Sequence, residues 1–142
     1  MTAGPHEALF RRWIDEAWNR GELAVLDEIV APGFVRHAPG EPREWRGPEG
    51  MKQFITVFRT GFPDLHITVD DVVAAGEKVA YRGTATGTHR GELMGIAPTG
   101  KPVTIPYMVL ARVAGGRFQE DWLNYDALGM LQQLGALPAP GR

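Results

Sequence analysis

Residues 65–88, which read LHITVDDVVAAGEKVAYRGTATGT, decide the fold class. Valine, isoleucine, threonine and tyrosine recur here with the alternation of β-strands. The Gly76-Glu77 pair between the two runs is typical of a tight turn. The pattern predicts a hairpin of two strands, at 65–75 and 78–88.

The chain after this hairpin continues the strand pattern. An irregular link at 90–100 leads to two further alternating runs, 103–113 and 117–125, which are separated by a glycine-containing turn. We expect these runs to extend the hairpin into an antiparallel meander. Asp126 is then placed to cap a short last helix.

Helical periodicity dominates the chain before the hairpin. Apolar residues recur at helical spacing over 6–19 and 22–31, and a proline in the first turn marks a third helix that begins at residue 47. A short extended piece at 34–37 separates the second helix from the third. Three N-terminal helices followed by a curved, mainly antiparallel sheet predict a single α+β domain over residues 1–142.

Composition and charge exclude several classes of protein. Neither cysteine nor serine occurs among the 142 residues, which excludes disulfides, thiolate metal sites and Ser-His-Asp chemistry. A net charge of -2 provides no surface that would attract nucleic acid or an anionic membrane. No apolar run is long enough to cross a bilayer, so we expect a cytoplasmic protein.

Two motifs that suggest a bound cofactor are rejected. The segment 95–101 reads G-x-x-x-x-G-K, but Pro102 stands where a phosphate loop needs a hydroxyl, and a strand follows where it needs a helix. The histidines show neither H-x-H nor H-E-x-x-H spacing. We therefore expect no metal and no cofactor.

Several runs of this chain resemble one known family. The runs are GTATGTHRGE at 83–92, GIAPTGK at 95–101, EDW at 120–122 and DALGMLQQLG at 126–135. They resemble the SnoaL-like polyketide (ester) cyclase family of the nuclear-transport-factor-like superfamily. The resemblance implies a cone-shaped α+β barrel, usually dimeric, with an apolar cavity and no metal or cofactor. It also implies intramolecular aldol ring closure, with an aspartate of the last strand, here Asp121, as acid and base.

Asp121 is accordingly the main candidate for catalysis. A carboxyl group in a desolvated cavity can remove a proton next to a carbonyl group and later protonate the new alkoxide. Strand alternation directs Asp121 away from Glu120 and Trp122. Spacing alone leaves open whether Asp121 or Glu120 faces inward, and the resemblance favours Asp121.

Tyr107 and His37 complete the candidate catalytic set. Tyr107 lies on the preceding strand, from which its hydroxyl could reach a substrate oxygen near Asp121. His37 ends the short extended piece, and we expect it at the cavity mouth, where it could orient a substrate oxygen or assist proton transfer. The alternatives are a core tyrosine and a surface histidine.

Candidates for substrate binding are one histidine and a set of large apolar residues. His89 belongs to the glycine-rich run, where it either has a functional role or simply ends a strand. Aromatic faces suit a flat polycyclic ligand, and the predicted wall consists of Trp13, Trp18, Phe34, Phe54, Phe58, Met108 and Tyr125. Plain core packing is the alternative for each of these residues.

The preferred hypothesis is a lyase or isomerase of the cyclase type that acts on a flat apolar carbonyl metabolite. The alternatives are accessory hydroxylation, isomerisation, or binding of a small molecule without catalysis. Both faces of the 117–125 strand carry bulky residues. We therefore expect a homodimer in which the sheet face with Trp122 packs on a second copy.

Overall fold

The computed structural model describes residues 2–138, and the first helix occupies the predicted place. A single turn at Gly4–His6 leads into α1 (Glu7–Arg11), which continues as a wider, π-helical segment, Arg12–Asn19. Its buried residues are Trp13, Ile14, Ala17 and Trp18. This spacing gives the helix one apolar face towards the core.

Within residues 2–138 no helix is both long and apolar enough to cross a membrane.

The second helix is shorter than predicted. After one turn at Leu23–Val25, α2 covers only Leu26–Ile29, and the backbone is already extended at Val30. Pro32 has no N–H to donate and disfavours a helical conformation in the residue before it. The chain therefore enters the first strand, β1 (Val30–His37), four residues earlier than the predicted start at residue 34.

The third helix is confirmed. It is α3 (Gly47–Gly61), which follows a two-residue strand, β2 (Trp45–Arg46), and has proline in its first turn. Met51, Phe54, Ile55 and Phe58 form its buried stripe. The N–H of Phe62 donates to the Phe58 carbonyl at 2.8 Å and ends the helix.

The sheet has six strands in the order β2-β1-β6-β5-β4-β3, and the α+β class is confirmed. The four long strands are β3 (His66–Ala75), β4 (Lys78–Thr88), β5 (Pro102–Ala114) and β6 (Arg117–Tyr125). All neighbouring strands are antiparallel except β1 and β6, which run parallel. The sheet is open, with β2 and β3 at its edges. A last helix, α4 (Ala127–Gln133), is capped by Asp126, which accepts a hydrogen bond from Gly129 N at 2.8 Å.

A bulge in β6 changes the predicted alternation of that strand. Arg112 of β5 pairs with Glu120 and the next residue, Val113, pairs with Phe118, so Gln119 is an extra residue. An extra residue of this kind interrupts the strict alternation of side chains between the two faces of the sheet. Phe118 is therefore buried on the same side as Asp121, whereas unbroken alternation would put it on the side of Glu120.

Candidate active site

A small cavity lies between the helices and the inner face of the sheet. Its volume is about 60 Å³, which is room for a few water molecules. The lining residues are Ile14, Trp18, Arg36, Phe54, Phe58, Leu65, Ile67, Tyr81, Ala85, Ile105, Tyr107, Val109, Leu123 and Tyr125. Arg36 is the one charged member of this otherwise apolar and aromatic lining among the described residues.

Arg36 and Asp121 form a buried ion pair. The parallel register of β1 and β6 places the two residues opposite each other. Arg36 Nε donates to Asp121 Oδ1 at 2.9 Å, and Nη2 donates to Oδ2 at 2.6 Å. Arg36 is 2% exposed and Asp121 is 0% exposed. Burial opposes the charge of Arg36, but the charge and hydrogen bonds of Asp121 outweigh it and raise the pKa of Arg36, which therefore stays a cation.

The guanidinium of Arg36 is also held by aromatic rings. Its central carbon lies 4.9 Å from the centre of the Phe54 ring and 5.5 Å from that of Trp13. Contacts of this kind stabilise a desolvated cation. Asp121 faces inward as expected, but Arg36 lines the cavity and Asp121 does not. A ligand in the cavity therefore meets the guanidinium before the carboxylate.

A second polar group at this site is the hydroxyl of Tyr81 on β4. It accepts a hydrogen bond from Trp13 Nε1 at 2.9 Å and lies beside the Arg36 guanidinium. Burial raises the pKa of Tyr81, which keeps the hydroxyl protonated. Trp13 was expected in the cavity wall, whereas the structure places it behind the wall as the partner of Tyr81.

Tyr107 lines the cavity but is not close to Asp121. In the antiparallel pairing of β5 with β6, Tyr107 lies opposite Tyr125, whereas Asp121 lies opposite Ala111. Ala111 is four residues further along β5 than Tyr107. Four residues correspond to roughly 13 Å along a strand. The Tyr107 hydroxyl instead donates to the Thr68 carbonyl at 2.8 Å. The expected neighbourhood of Tyr107 and Asp121 is therefore not found.

His37 lies on the outer face of the sheet, not at the cavity mouth where it was expected. Neighbouring residues of a strand point to opposite faces, so the inward direction of Arg36 turns His37 outward. Its ring lies between two carboxylates, with Nε2 2.7 Å from Glu120 and Nδ1 2.7 Å from Glu44. It also stacks on Trp122, with ring centres 5.4 Å apart.

His89 is fully buried but does not line the cavity. Its Nδ1 accepts a hydrogen bond from Thr99 N, and its ring packs against Phe62. Its backbone donates to the Lys101 carbonyl and accepts from Gly100 N. These contacts hold the two ends of the 90–100 link together, which corresponds to the structural alternative for this residue.

The predicted aromatic wall is found in part. Trp18, Phe54, Phe58 and Tyr125 line the cavity. Phe34 is fully buried in the core outside the cavity, and Met108 is 62% exposed on the outer face of the sheet. The assignment of Met108 to the wall was wrong, because strand alternation puts this residue on the face opposite Tyr107.

Among residues 2–138 no group of three histidine, aspartate or glutamate side chains is placed to hold a metal ion.

The family model for the SnoaL-like polyketide cyclases matches residues 8–134 of this chain. The chain belongs to this family. The match covers the helices, the sheet and the buried Arg36–Asp121 pair, and it confirms the family that the sequence motifs indicated.

Three similar proteins match nearly the whole chain. An aklanonic acid methyl ester cyclase of Streptomyces sp. (strain C5) is 30% identical over 92% of this chain and 82% of its own. The structure of IdmH from Streptomyces antibioticus, a candidate polyketide cyclase, is 35% identical with a TM-score of 0.80, covering 92% of this chain and 99% of its own. AclR from Streptomyces galilaeus, a candidate hydroxylase, is 30% identical with a TM-score of 0.84, covering 99% and 87%.

Sequence reasoning missed Arg36 and Tyr81, although the alternation of side chains along their strands placed both on a core-facing side. Arg36 shares its strand face with Phe34, which was already assigned to the interior. Tyr81 shares its face with Val79 and Ala85 on β4. A charged residue on the core face of a strand needs a buried partner. That requirement could have singled out Arg36 as the counterion of an inward-facing Asp121.

Proposed function

We propose that the protein is a polyketide cyclase that closes a ring by intramolecular aldol addition in a flat, apolar carbonyl substrate. The family supports this reaction class, and its named cyclases act on methyl esters of aklanonic and nogalonic acid. The observation that carries the proposal is the buried Arg36–Asp121 pair, whose arginine lines an otherwise apolar and aromatic cavity.

In the proposed reaction Asp121 is both base and acid. A substrate carbonyl oxygen accepts a hydrogen bond from Arg36, and this loosens the contact between the guanidinium and the carboxylate. Asp121 then takes a proton from the carbon next to that carbonyl, and the electron pair moves to the oxygen to form an enolate. The enolate carbon adds to a second carbonyl carbon of the same molecule, and the new alkoxide takes the proton back from Asp121.

The size of the cavity adds a requirement. About 60 Å³ is far below the 300–1,000 Å³ that is usual for small-molecule sites. Substrate binding therefore requires lining side chains to move apart. The wall is formed mainly by aliphatic and aromatic side chains, which can change rotamer without breaking a buried hydrogen bond.

The test is turnover of aklanonic acid methyl ester, followed by chromatography and mass spectrometry. We expect a product of unchanged mass with one carbonyl converted to an alcohol. Asp121→Asn should lower turnover by about 10²- to 10⁴-fold, while Glu120→Gln, the neighbouring carboxylate on the outer face, should retain it. Wild-type turnover by a folded Asp121→Asn variant would refute Asp121 as the base.

A second candidate function is accessory hydroxylation. The similarity to AclR, a candidate hydroxylase, favours it specifically. The same incubation separates the two reactions, because hydroxylation adds the mass of one oxygen atom and cyclisation does not. Isomerisation also leaves the mass unchanged, but it retains both carbonyl groups.

We also propose that the outer face of the sheet packs on a second copy of the chain. A row of apolar residues crosses four strands of this face in direct register: Val73, Ala80, Leu110 and Trp122. Trp122 is 41% exposed and Leu110 is 38% exposed, and Met108 extends the patch along β5. An apolar patch of this extent on a sheet is typical of a contact with another protein, and symmetric dimers are the commonest case.

A further inference from the structure

The hydroxyl of Tyr81 has a hydrogen to donate and no acceptor for it within the described residues. Among the described residues this oxygen makes one hydrogen bond, which it accepts from the indole N–H of Trp13 at 2.9 Å, and the nearby guanidinium of Arg36 is also a donor. Neither of them can accept the hydroxyl hydrogen. The side chain lines the cavity, so this hydrogen is left for an acceptor that enters the cavity.

The other two tyrosines of the cavity do not have this property. The Tyr107 hydroxyl is committed to the Thr68 carbonyl at 2.8 Å. The Tyr125 hydroxyl faces the Glu41 carboxylate, which is an acceptor. Tyr81 is thus the cavity tyrosine whose donor is free, although Tyr107 was the one selected from the sequence.

We propose that Tyr81 and Arg36 together bind the oxyanion of the enolate, with Tyr81 as a further catalytic residue. This inference rests on the proposed aldol chemistry. As the substrate carbon loses its proton to Asp121, negative charge develops on the carbonyl oxygen. That oxygen accepts one hydrogen bond from the Tyr81 hydroxyl and one from the Arg36 guanidinium. Tyr81 keeps its proton throughout, so the proton balance between substrate and Asp121 is unchanged.

The position of Tyr81 is fixed before any substrate binds. Its ring packs edge-on against Phe10, with ring centres 4.8 Å apart, and its oxygen is held by Trp13. Donors that are already oriented stabilise a developing charge more than flexible donors do, because they need no reorganisation during the reaction. Burial raises the pKa of Tyr81, so the hydroxyl remains a donor over the working pH range.

The experiment uses 2-naphthol, a flat phenol whose ionised form carries an oxyanion like that of an enolate. Its absorbance distinguishes phenol from phenolate, so the pKa of the bound probe can be measured on the intact protein. We expect the wild-type protein to lower this pKa relative to water. Tyr81→Phe should raise it again by about one unit or more, which is the loss of one hydrogen bond to a charged group.

Tyr107→Phe is the matched control, since it removes a hydroxyl from the neighbouring strand of the same cavity. It should leave the pKa of bound naphthol within a few tenths of a unit of the wild-type value. Both variants deprive one buried group of its hydrogen-bond partner, so their melting temperatures are compared first. Where turnover is observed, Tyr81→Phe should lower kcat and leave KM nearly unchanged.

The outcomes separate this inference from the proposed function. Equal shifts in the two variants, or a wild-type protein that binds phenolate no better than phenol, would overturn the role of Tyr81. A naphthol shift that depends on Tyr81, without cyclisation of any polyketide ester, would retain the oxyanion site and reject the cyclase proposal. Cyclisation that Tyr81→Phe does not slow would retain the cyclase proposal and reject the role of Tyr81.

Discussion

Arg36 Nη2 lies 2.6 Å from Asp121 Oδ2, and this contact joins residues 85 positions apart in the chain. It ties the strand that follows the first helices to the last strand of the sheet. Both charges are removed from water, so each depends on the other. The pair is thus a structural element of the sheet as well as the proposed reaction centre.

Removing one partner of the buried Arg36–Asp121 pair should lower the free energy of unfolding far more than removing one partner of an exposed pair. Arg36→Met leaves the Asp121 carboxylate buried without a counterion, and we expect the free energy of unfolding to fall by about 3–5 kcal/mol. Urea denaturation measures this difference. The double variant Arg36→Met, Asp121→Leu should recover much of the loss. Arg82→Met, which breaks an exposed pair with Asp71, should cost less than about 1 kcal/mol.

The His37 cluster predicts a pH dependence of stability. The hydrogen bond to Glu120 raises the pKa of His37 most, and Glu44 adds to it. The folded pKa therefore lies above the unfolded value of about 6.5. The stabilisation is complete below that value and is lost as the pH rises through the folded pKa.

His37→Gln tests this dependence by urea denaturation between about pH 5.5 and 8.5. The wild-type protein should be more stable by less than about 1 kcal/mol at the acid end, because the cluster is partly solvated. The part of this difference that depends on pH should be lost at the alkaline end. The lower limit of the range avoids titration of Glu120, whose pKa is lowered by its hydrogen bond to His37. A wild-type advantage that increased with pH would contradict the prediction.

Gly83 on β4 should not tolerate a side chain. An added Cβ would overlap the Thr68 carbonyl oxygen and lie 2.9 Å from the Tyr107 hydroxyl. We expect Gly83→Ala to lower the free energy of unfolding by about 3 kcal/mol, as measured by urea denaturation. Gly33→Ala is the control, because a Cβ there meets nothing within 4 Å, and its effect should stay below about 0.5 kcal/mol. Equal stability of the two variants would show that the Thr68 backbone can move aside.

The proposed dimer should depend on Trp122. Trp122→Lys places a charge at the β6 end of the exposed row, and light scattering at micromolar concentration should show a monomer. Leu128→Lys, at a residue of α4 that is 59% exposed, should keep the mass of a dimer. A wild-type protein that is monomeric under these conditions would exclude this interface.

Local sequence patterns were sufficient for the elements and for most side-chain directions. The choice of Asp121 over Glu120 as the inward carboxylate came from the family resemblance. Alternation along strands predicted the four long strands, and helical spacing with a proline in the first turn predicted the start of α3 at residue 47. Both signals are local, because they depend on which residues share a face within one element. Where a local pattern failed, a single backbone feature was responsible, such as Pro32 at the start of β1 or the extra residue Gln119 in β6.

Strand pairing decided the composition of the site, and no local period contains it. The parallel pairing of β1 with β6 brought Arg36 to Asp121, and the register of β5 carried Tyr107 away from it. The partner of a strand is chosen by the packing of the whole sheet, so residues 85 positions apart acquire a shared chemistry only in the folded chain. The sequence by itself determined the family, the fold class and the inward carboxylate. The tertiary structure decided that this carboxylate lies behind a cation, with Tyr81 as the available donor.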